Sequence, residues 1–223
     1  KTTKNEFIIK GDNFACRIDR KTGQIITLKK NGVVILNGGP WLMALPLDGE
    51  GCEPDHDANI PPFNNLCGNW KANSVKAKKE GKDVVISVIG SYYNFIGDYR
   101  LRINANGNVK LDYIFANKIA VNPRQWGMVF DSPKSFNELF WDRKGRWSSY
   151  PSKHIGRTHG TAPLFYDGVP EKINPREEPL WNWSMDFNKL GSNDFRSTRR
   201  NFNYAGLRNN KGQQVMAVSK DAS

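Results

Sequence analysis

Apolar and polar residues alternate along most of this chain with a period of two. From Asn13 the sequence runs Phe14-Ala15-Cys16-Arg17-Ile18-Asp19, then turns at Lys21-Thr22-Gly23. Ile25 to Leu28 and Val33 to Leu36 flank Lys30-Asn31-Gly32. Asn-Gly between two apolar runs predicts a tight hairpin, because both central residues of that turn need a positive φ. Val84 to Ile89 follows a turn at Glu80-Gly81-Lys82. Tyr99, Leu101 and Ile103 alternate with Arg100, Arg102 and Asn104. After Asn106-Gly107, Val109, Leu111, Tyr113 and Phe115 alternate with Lys110, Asp112 and Ile114. These are two half-buried strands, each apolar on one face, meeting at a short turn. Asn209-Asn210-Lys211-Gly212 predicts one further hairpin.

No segment holds a helical period over a dozen residues. Turn signals recur every roughly 8–15 residues, which predicts a sandwich or barrel built from antiparallel strands. Two stretches lack the alternation, residues 48–69 and 143–193, and read as long functional or interfacial loops. There is no internal repeat and no low-complexity linker. A chain of 223 residues fits one large all-β domain, so a single domain over residues 1–223 is expected.

Composition changes this picture little. Hydrophobic residues make up 38% and charged residues 25% of the chain, as in ordinary globular proteins. No apolar run approaches the ~18 residues of a membrane span. The chain opens on Lys1 without a signal segment, as expected of a fragment or a mature form. The net charge is +11, but the basic residues are scattered over strands and turns. A solvated basic surface is therefore favoured over nucleic-acid binding, and an acidic polysaccharide stands as a further reading. Cys16, Cys52 and Cys67 show no metal-ligand spacing. No cofactor is expected.

The richest acidic stretch holds Asp48, Glu50, Glu53, Asp55, His56 and Asp57. It reads as a solvated loop, as an interface with a neighbouring domain, or as a metal or acid/base site. Its spacing does not fit an EF-hand. Trp141, Arg143, Lys144, Arg146, Trp147 and Tyr150 form an aromatic and basic run. Aromatic faces stack on the C–H faces of sugars, and Arg or Lys reaches hydroxyls and carboxylates. Trp141, at the end of a predicted strand, reads as core. Trp147, Trp181 and Trp183 divide between core and contact roles. His154 and His159 flank Gly156-Arg157-Thr158 and read as turn or surface histidines, with proton transfer as the functional alternative. There is no phosphate loop, zinc signature or Gly-x-Ser-x-Gly elbow.

Asn122-Pro-Arg-Gln-Trp-Gly-Met-Val-Phe130 and Trp141-Asp-Arg-Lys-Gly-Arg-Trp-Ser-Ser-Tyr-Pro-Ser-Lys153 resemble two signatures of the C-terminal domain of β-galactosidases in glycoside hydrolase family 2. Those are a Pro-Arg-x-Gly strand and Trp-Tyr-Gly-Arg-Gly-Pro-x-Glu-Asn-Tyr-Pro-Asp-Arg. The second aligns without a gap, keeping Trp141, Gly145, Tyr150 and Pro151. Phe14 to Leu28, Leu45 to Glu50, and Arg199 with Phe202 to Leu207 resemble further family segments in the same order. Two residues, not one, separate Arg124 from Gly127, and Ser148-Ser149 replace Glu-Asn. These departures imply a divergent branch and leave galactose specificity open.

The resemblance implies an antiparallel β-supersandwich of the galactose mutarotase-like kind. The family's domain continues for several more strands beyond the point matching Ser223, so a C-terminally shortened domain is expected. Retaining glycosidases need two carboxylates about 5–5.5 Å apart, and in this family a separate (β/α)₈ barrel carries them. No strand–helix alternation encodes a barrel here. The implied role is therefore non-catalytic: packing against the parent enzyme's catalytic barrel and lining its sugar cleft. Loops 48–69 and 143–160 would face that cleft, with Trp147, Arg146, Tyr150, Asp48, Glu50 and His154 as the contact residues. A poly- or oligosaccharide and the barrel are the expected partners, without nucleic acid or a membrane span. Such hydrolases are often exported, so a periplasmic or secreted location is expected. A stand-alone mutarotase-like epimerase and a free binder of acidic glycans are the alternatives.

Overall fold

A computed structural model describes residues 1–46, 66–118, 123–145, 157–163 and 201–218. All regular structure among the described residues is β, and every strand pairing is antiparallel. The fold is all-β and has the character of a β-sandwich. Two compact units divide the chain: Lys1–Glu50 with Ala58–Pro133, and Gly51–Asp57 with Lys134–Ser223.

The first unit opens with a four-stranded meander: β1 (Glu6–Lys10), β2 (Phe14–Asp19), β3 (Ile25–Lys30) and β4 (Val33–Leu36). Strand β2 follows the simple alternation, burying Phe14, Cys16 and Ile18. Strand β3 does not, since Ile25 and Leu28 are both buried three positions apart. A register shift explains this: Arg17 pairs with Thr27, but Ile18 pairs with Ile25. The extra residue is a β-bulge, which resets the alternation and puts both side chains on the buried side. The β3–β4 turn has Asn31 at φ 50° and Gly32 at φ 80°, the left-handed pair that the Asn-Gly sequence predicts.

A second meander follows: β6 (Lys71–Glu80), β7 (Asp83–Ser91), β8 (Phe95–Ile103) and β9 (Val109–Asn117). Ile86, Val88, Tyr99, Leu101 and Ile103 are buried. Strand β6 is mostly Lys, Ala and Ser, so it carries no apolar stripe, yet it pairs with β7 over its whole length. The backbone ladder and the turn at Gly81 place it there.

The two meanders meet at the turn between β2 and β3. The carbonyl of Thr22 accepts the Trp70 indole N–H at 2.9 Å and the Tyr99 hydroxyl at 3.4 Å. At the opposite strand ends, a side chain on Gly107 would run into the Phe14 ring. Between the meanders in sequence, β5 (Gly38–Pro46) pairs with β10 (Pro123–Asp131) as a two-stranded ribbon. Its Leu42 and Ala44 form a buried cluster with Tyr92 and Phe95, against which Leu66, Cys67, Trp70, Phe115 and Met128 pack. Trp70 stands 4.8 Å from Tyr92 and 6.2 Å from Phe115, centroid to centroid. These tilted and edge-on ring arrangements are the favourable ones for aromatic packing.

The second unit contains one four-stranded sheet: β11 (Glu138–Arg143) at its interior, flanked by β12 (His159–Pro163) and β13 (Phe202–Arg208), with β14 (Gln214–Val218) outside β13. The predicted late hairpin is present. The Asn209 side-chain oxygen accepts the backbone N–H groups of Lys211 and Gln213, both at 3.0 Å, closing the turn. Strand β12 corrects the sequence expectation of an unbroken loop over 143–193. Its residues, His-Gly-Thr-Ala-Pro, lack an apolar alternation, and the partner β11 supplies the ladder.

Candidate functional site

The sheet of the second unit is the described surface with the most varied chemistry. Side chains alternate between faces along a strand, so Glu138, Phe140 and Asp142 share one face of β11, and Leu139 and Trp141 share the other. The ladder register then fixes what lies beside them. Glu138 is opposite Arg208, which is opposite Gln214. Phe140 is opposite Thr161 on one side and Gly206 on the other, and Gly206 is opposite Met216. Asp142 is opposite His159 and Tyr204. Three short rows thus make one mixed surface.

Phe140 and Tyr204 form its apolar strip, with ring centroids 6.1 Å apart and planes tilted by 53°. The strip lies low because β13 carries glycine in the middle row. A Cβ on Gly206 would drive into the Phe140 ring and lie 2.6 Å from the Val215 carbonyl. Glu138 and Arg208 form an ion pair at one end. The guanidinium holds the Glu138 carboxyl below its ordinary range, and a Thr161 hydrogen bond adds to the effect. At the other end the Asp142 carboxylate accepts the Asn203 amide at 2.5 Å. An open groove of about 440 Å³ runs over this face, lined by Phe140, His159, Thr161, Tyr204, Arg208 and Met216 among others. Met216 remains 52% and Tyr204 36% exposed.

The opposite face anchors the sheet. Trp141 is buried as expected, its ring lies against Gly160, and its indole N–H donates to the Arg157 carbonyl at 2.9 Å. That carbonyl also accepts Arg143 Nε at 3.1 Å. Burying one side of β11 holds Phe140 and Asp142 outward.

A second surface belongs to the first unit. On the outer face of the β6–β9 sheet, Ile89 and Ile114 lie on either side of Asp98 in one row, and Ile96 lies in the next. All three isoleucines are at least 48% exposed, and Tyr93 nearby in sequence is 69% exposed. Contiguous exposed apolar groups of this kind mark interaction surfaces more often than chance.

Residues 10–162 match the family described as beta galactosidase small chain. This chain belongs to the β-galactosidase small chain family. The match runs from the last residue of β1 into β12 and stops before β13 and β14. A comparison with curated proteins found no match.

Within this small-chain domain, Trp147, Arg146, Tyr150, Asp48, Glu50 and His154 lie outside the described residues, as do Trp181 and Trp183. His159 is described and exposed, at one end of the groove. Phe140, Tyr204, Arg208 and Met216 were not legible as site residues. Each looks like an ordinary strand position until the register between β11 and β13 sets them side by side. Among the described residues no group of three or more His, Cys, Asp or Glu gathers into a metal site, and no helix is long and apolar enough to cross a membrane.

Proposed function

We propose that this chain is the C-terminal β-supersandwich domain, of the galactose mutarotase-like kind, of a family 2 β-galactosidase-like glycoside hydrolase. In this reading it is non-catalytic by itself. It packs against the parent enzyme's catalytic barrel and helps shape the sugar cleft. The observation that carries it is the small-chain family match over residues 10–162 of an all-β chain. The exposed isoleucines of the β6–β9 sheet suit the packing role, because an apolar face gains most from being covered by a neighbouring domain. Trp147, Arg146, Tyr150, Asp48, Glu50 and His154 remain the proposed sugar-contacting set. A periplasmic or secreted location goes with this class of enzyme.

The test is a panel of chromogenic β-glycosides offered to the 223-residue chain and to its full-length parent. Turnover by the parent alone is expected. Turnover by the isolated chain would sink the proposal.

One observation favours a second reading, a mutarotase-like epimerase. His159 and Asp142 are cross-strand partners on the grooved sheet, and a histidine beside a carboxylate is the pair that proton transfer at an anomeric oxygen requires. Acceleration of sugar anomerisation by the chain, lost in His159→Ala, would support this reading. A background rate would remove it.

A further inference from the structure

We propose that the outer face of the β6–β9 sheet docks a neighbouring protein domain whose surface is apolar at its centre and acidic at its edges. This rests on reading the chain as one domain of a larger enzyme, and adds to that reading the docking face and the chemistry of what covers it.

The strand register writes the apolar centre. Ile89 and Ile114 lie on either side of Asp98, and Ile96 lies in the next row between Ser91 and Ala116. Ile114 is 74% and Ile89 53% exposed. Single exposed apolar side chains are ordinary, but three on adjoining positions of one flat face mark a surface that gains from being covered. Strands of nine residues at a rise of about 3.3 Å, four abreast at about 4.8 Å, give a face of roughly 19 by 30 Å. That matches the smaller interfaces between domains, which start at about 600 Å².

The charges around this centre set the sign of the partner. Lys78, Arg102 and Lys110 are engaged by Glu80, Asp83 and Asp112 of the same face. Lys76 and Arg100 stand on either side of Ser87 in the row beside Ile89 and Asp98, and Lys71 stands in the row of Ile96. All three cations are exposed. A covering surface with carboxylates at these points meets them in charge-assisted hydrogen bonds, which fix the register of docking.

Asp98 decides between a protein and an anionic membrane. Its carboxylate lies half-buried between the two isoleucines. Lipid tails offer it no hydrogen-bond donor and anionic headgroups repel it, whereas a protein surface can place a donor opposite it.

The test measures thiol reactivity towards a maleimide. Ile114→Cys and, as a reference on the first meander, the exposed Lys29→Cys are made both in the 223-residue chain and in the full-length parent. Relative to Lys29→Cys, Ile114→Cys should react at least about tenfold more slowly in the parent, as a site that opens less than one time in ten. In the parent, Lys76→Glu with Arg100→Glu should restore most of the lost reactivity, and Lys76→Arg with Arg100→Lys should leave the protection in place. Both positions are exposed, so the fold tolerates these changes. An unchanged ratio between chain and parent would overturn the proposal. So would protection that survives the charge reversal, protection of the isolated chain by phosphatidylserine vesicles, or protection that rises with chain concentration. Those outcomes assign the face to an uncharged partner surface, a membrane or a second copy. If the ratio is unchanged while the parent alone hydrolyses β-glycosides, the docking face falls and the domain assignment stands. Charge-dependent protection in a parent that hydrolyses none keeps the face and removes the glycosidase reading.

Discussion

Replacing Tyr92 by Phe removes a single oxygen from the most enclosed part of the first unit. That hydroxyl accepts the backbone N–H of Leu42 at 2.8 Å. Both groups are out of solvent, Leu42 at 1% and Tyr92 at 4% exposure. The N–H belongs to β5, whose one ladder partner among the described residues is β10, so the tyrosine supplies the acceptor that a second neighbouring strand would offer at this position. Phenylalanine keeps the ring that packs 4.8 Å from Trp70 but leaves the donor buried without an acceptor. An unsatisfied buried donor costs about 1–3 kcal/mol, whereas the loss of ring contact is close to zero. For a chain of this size 1 kcal/mol lowers Tm by roughly 2–4 °C. Tyr92→Phe should therefore melt about 4–8 °C below wild type, taking the middle of the range. Thermal unfolding followed by circular dichroism measures this, with urea titration to check that the slope is unchanged. Tyr93→Phe is the control, because Tyr93 is 69% exposed and should shift stability by less than about 0.5 kcal/mol. A Tyr92→Phe protein melting within a degree of wild type would refute the reasoning and point to water or backbone movement satisfying Leu42.

Gly23 and Gly32 share nearly the same backbone, φ 78° and 80°, yet a new Cβ at Gly23 would strike Val88 and lie 2.9 Å from the Tyr99 hydroxyl, while at Gly32 it meets nothing. Gly32→Ala should thus cost only the left-handed penalty of about 1–2 kcal/mol, and Gly23→Ala about 1–3 kcal/mol more for overpacking; equal urea midpoints would contradict this. Burial pushes the Cys16 and Cys67 thiols from 9.0, and the Tyr92 phenol from 10.0, up to about 12. The unfolded chain then loses these protons first, so their contribution is complete below pH 9 and disappears as pH rises towards 12; urea midpoints measured at pH 8, 10 and 11.5 should fall in that order, and a flat series would refute it. Cys16 is fully enclosed with its thiol held protonated, so iodoacetamide should modify it only after denaturant is added; peptide mapping that finds Cys16 alkylated in the native protein would contradict the burial.

The period-two alternation in β2, β7 and β8 was legible because each strand has one face in the core, and the hairpins announced themselves through Asn31-Gly32 and Asn106-Gly107. Strands β6 and β12 were not legible. Lys71–Glu80 is nearly all polar or small, and His159–Pro163 has no β-branched alternation; both are strands because a neighbour's backbone needs partners, a cause that lies outside their own sequence. The bulge between β2 and β3 was hidden for a similar reason, since only the pairing of Ile18 with Ile25 shows that the spacing of Ile25 and Leu28 is a reset and not an error. Family membership was readable from ordered short motifs, because those motifs are local.

The grooved surface shows the same boundary. The sequence alone determined that the chain is built from antiparallel strands, that Trp141 belongs to the core, and that the chain resembles a β-galactosidase-type domain. Those properties follow from local alternation, turn chemistry and motif order. Only the tertiary structure decided that Phe140, Tyr204 and Met216 share a face with Glu138, Asp142 and His159. Strands β11 and β13 are joined across about sixty residues, and a shift of one residue in their pairing would send every one of these side chains to the opposite side of the sheet.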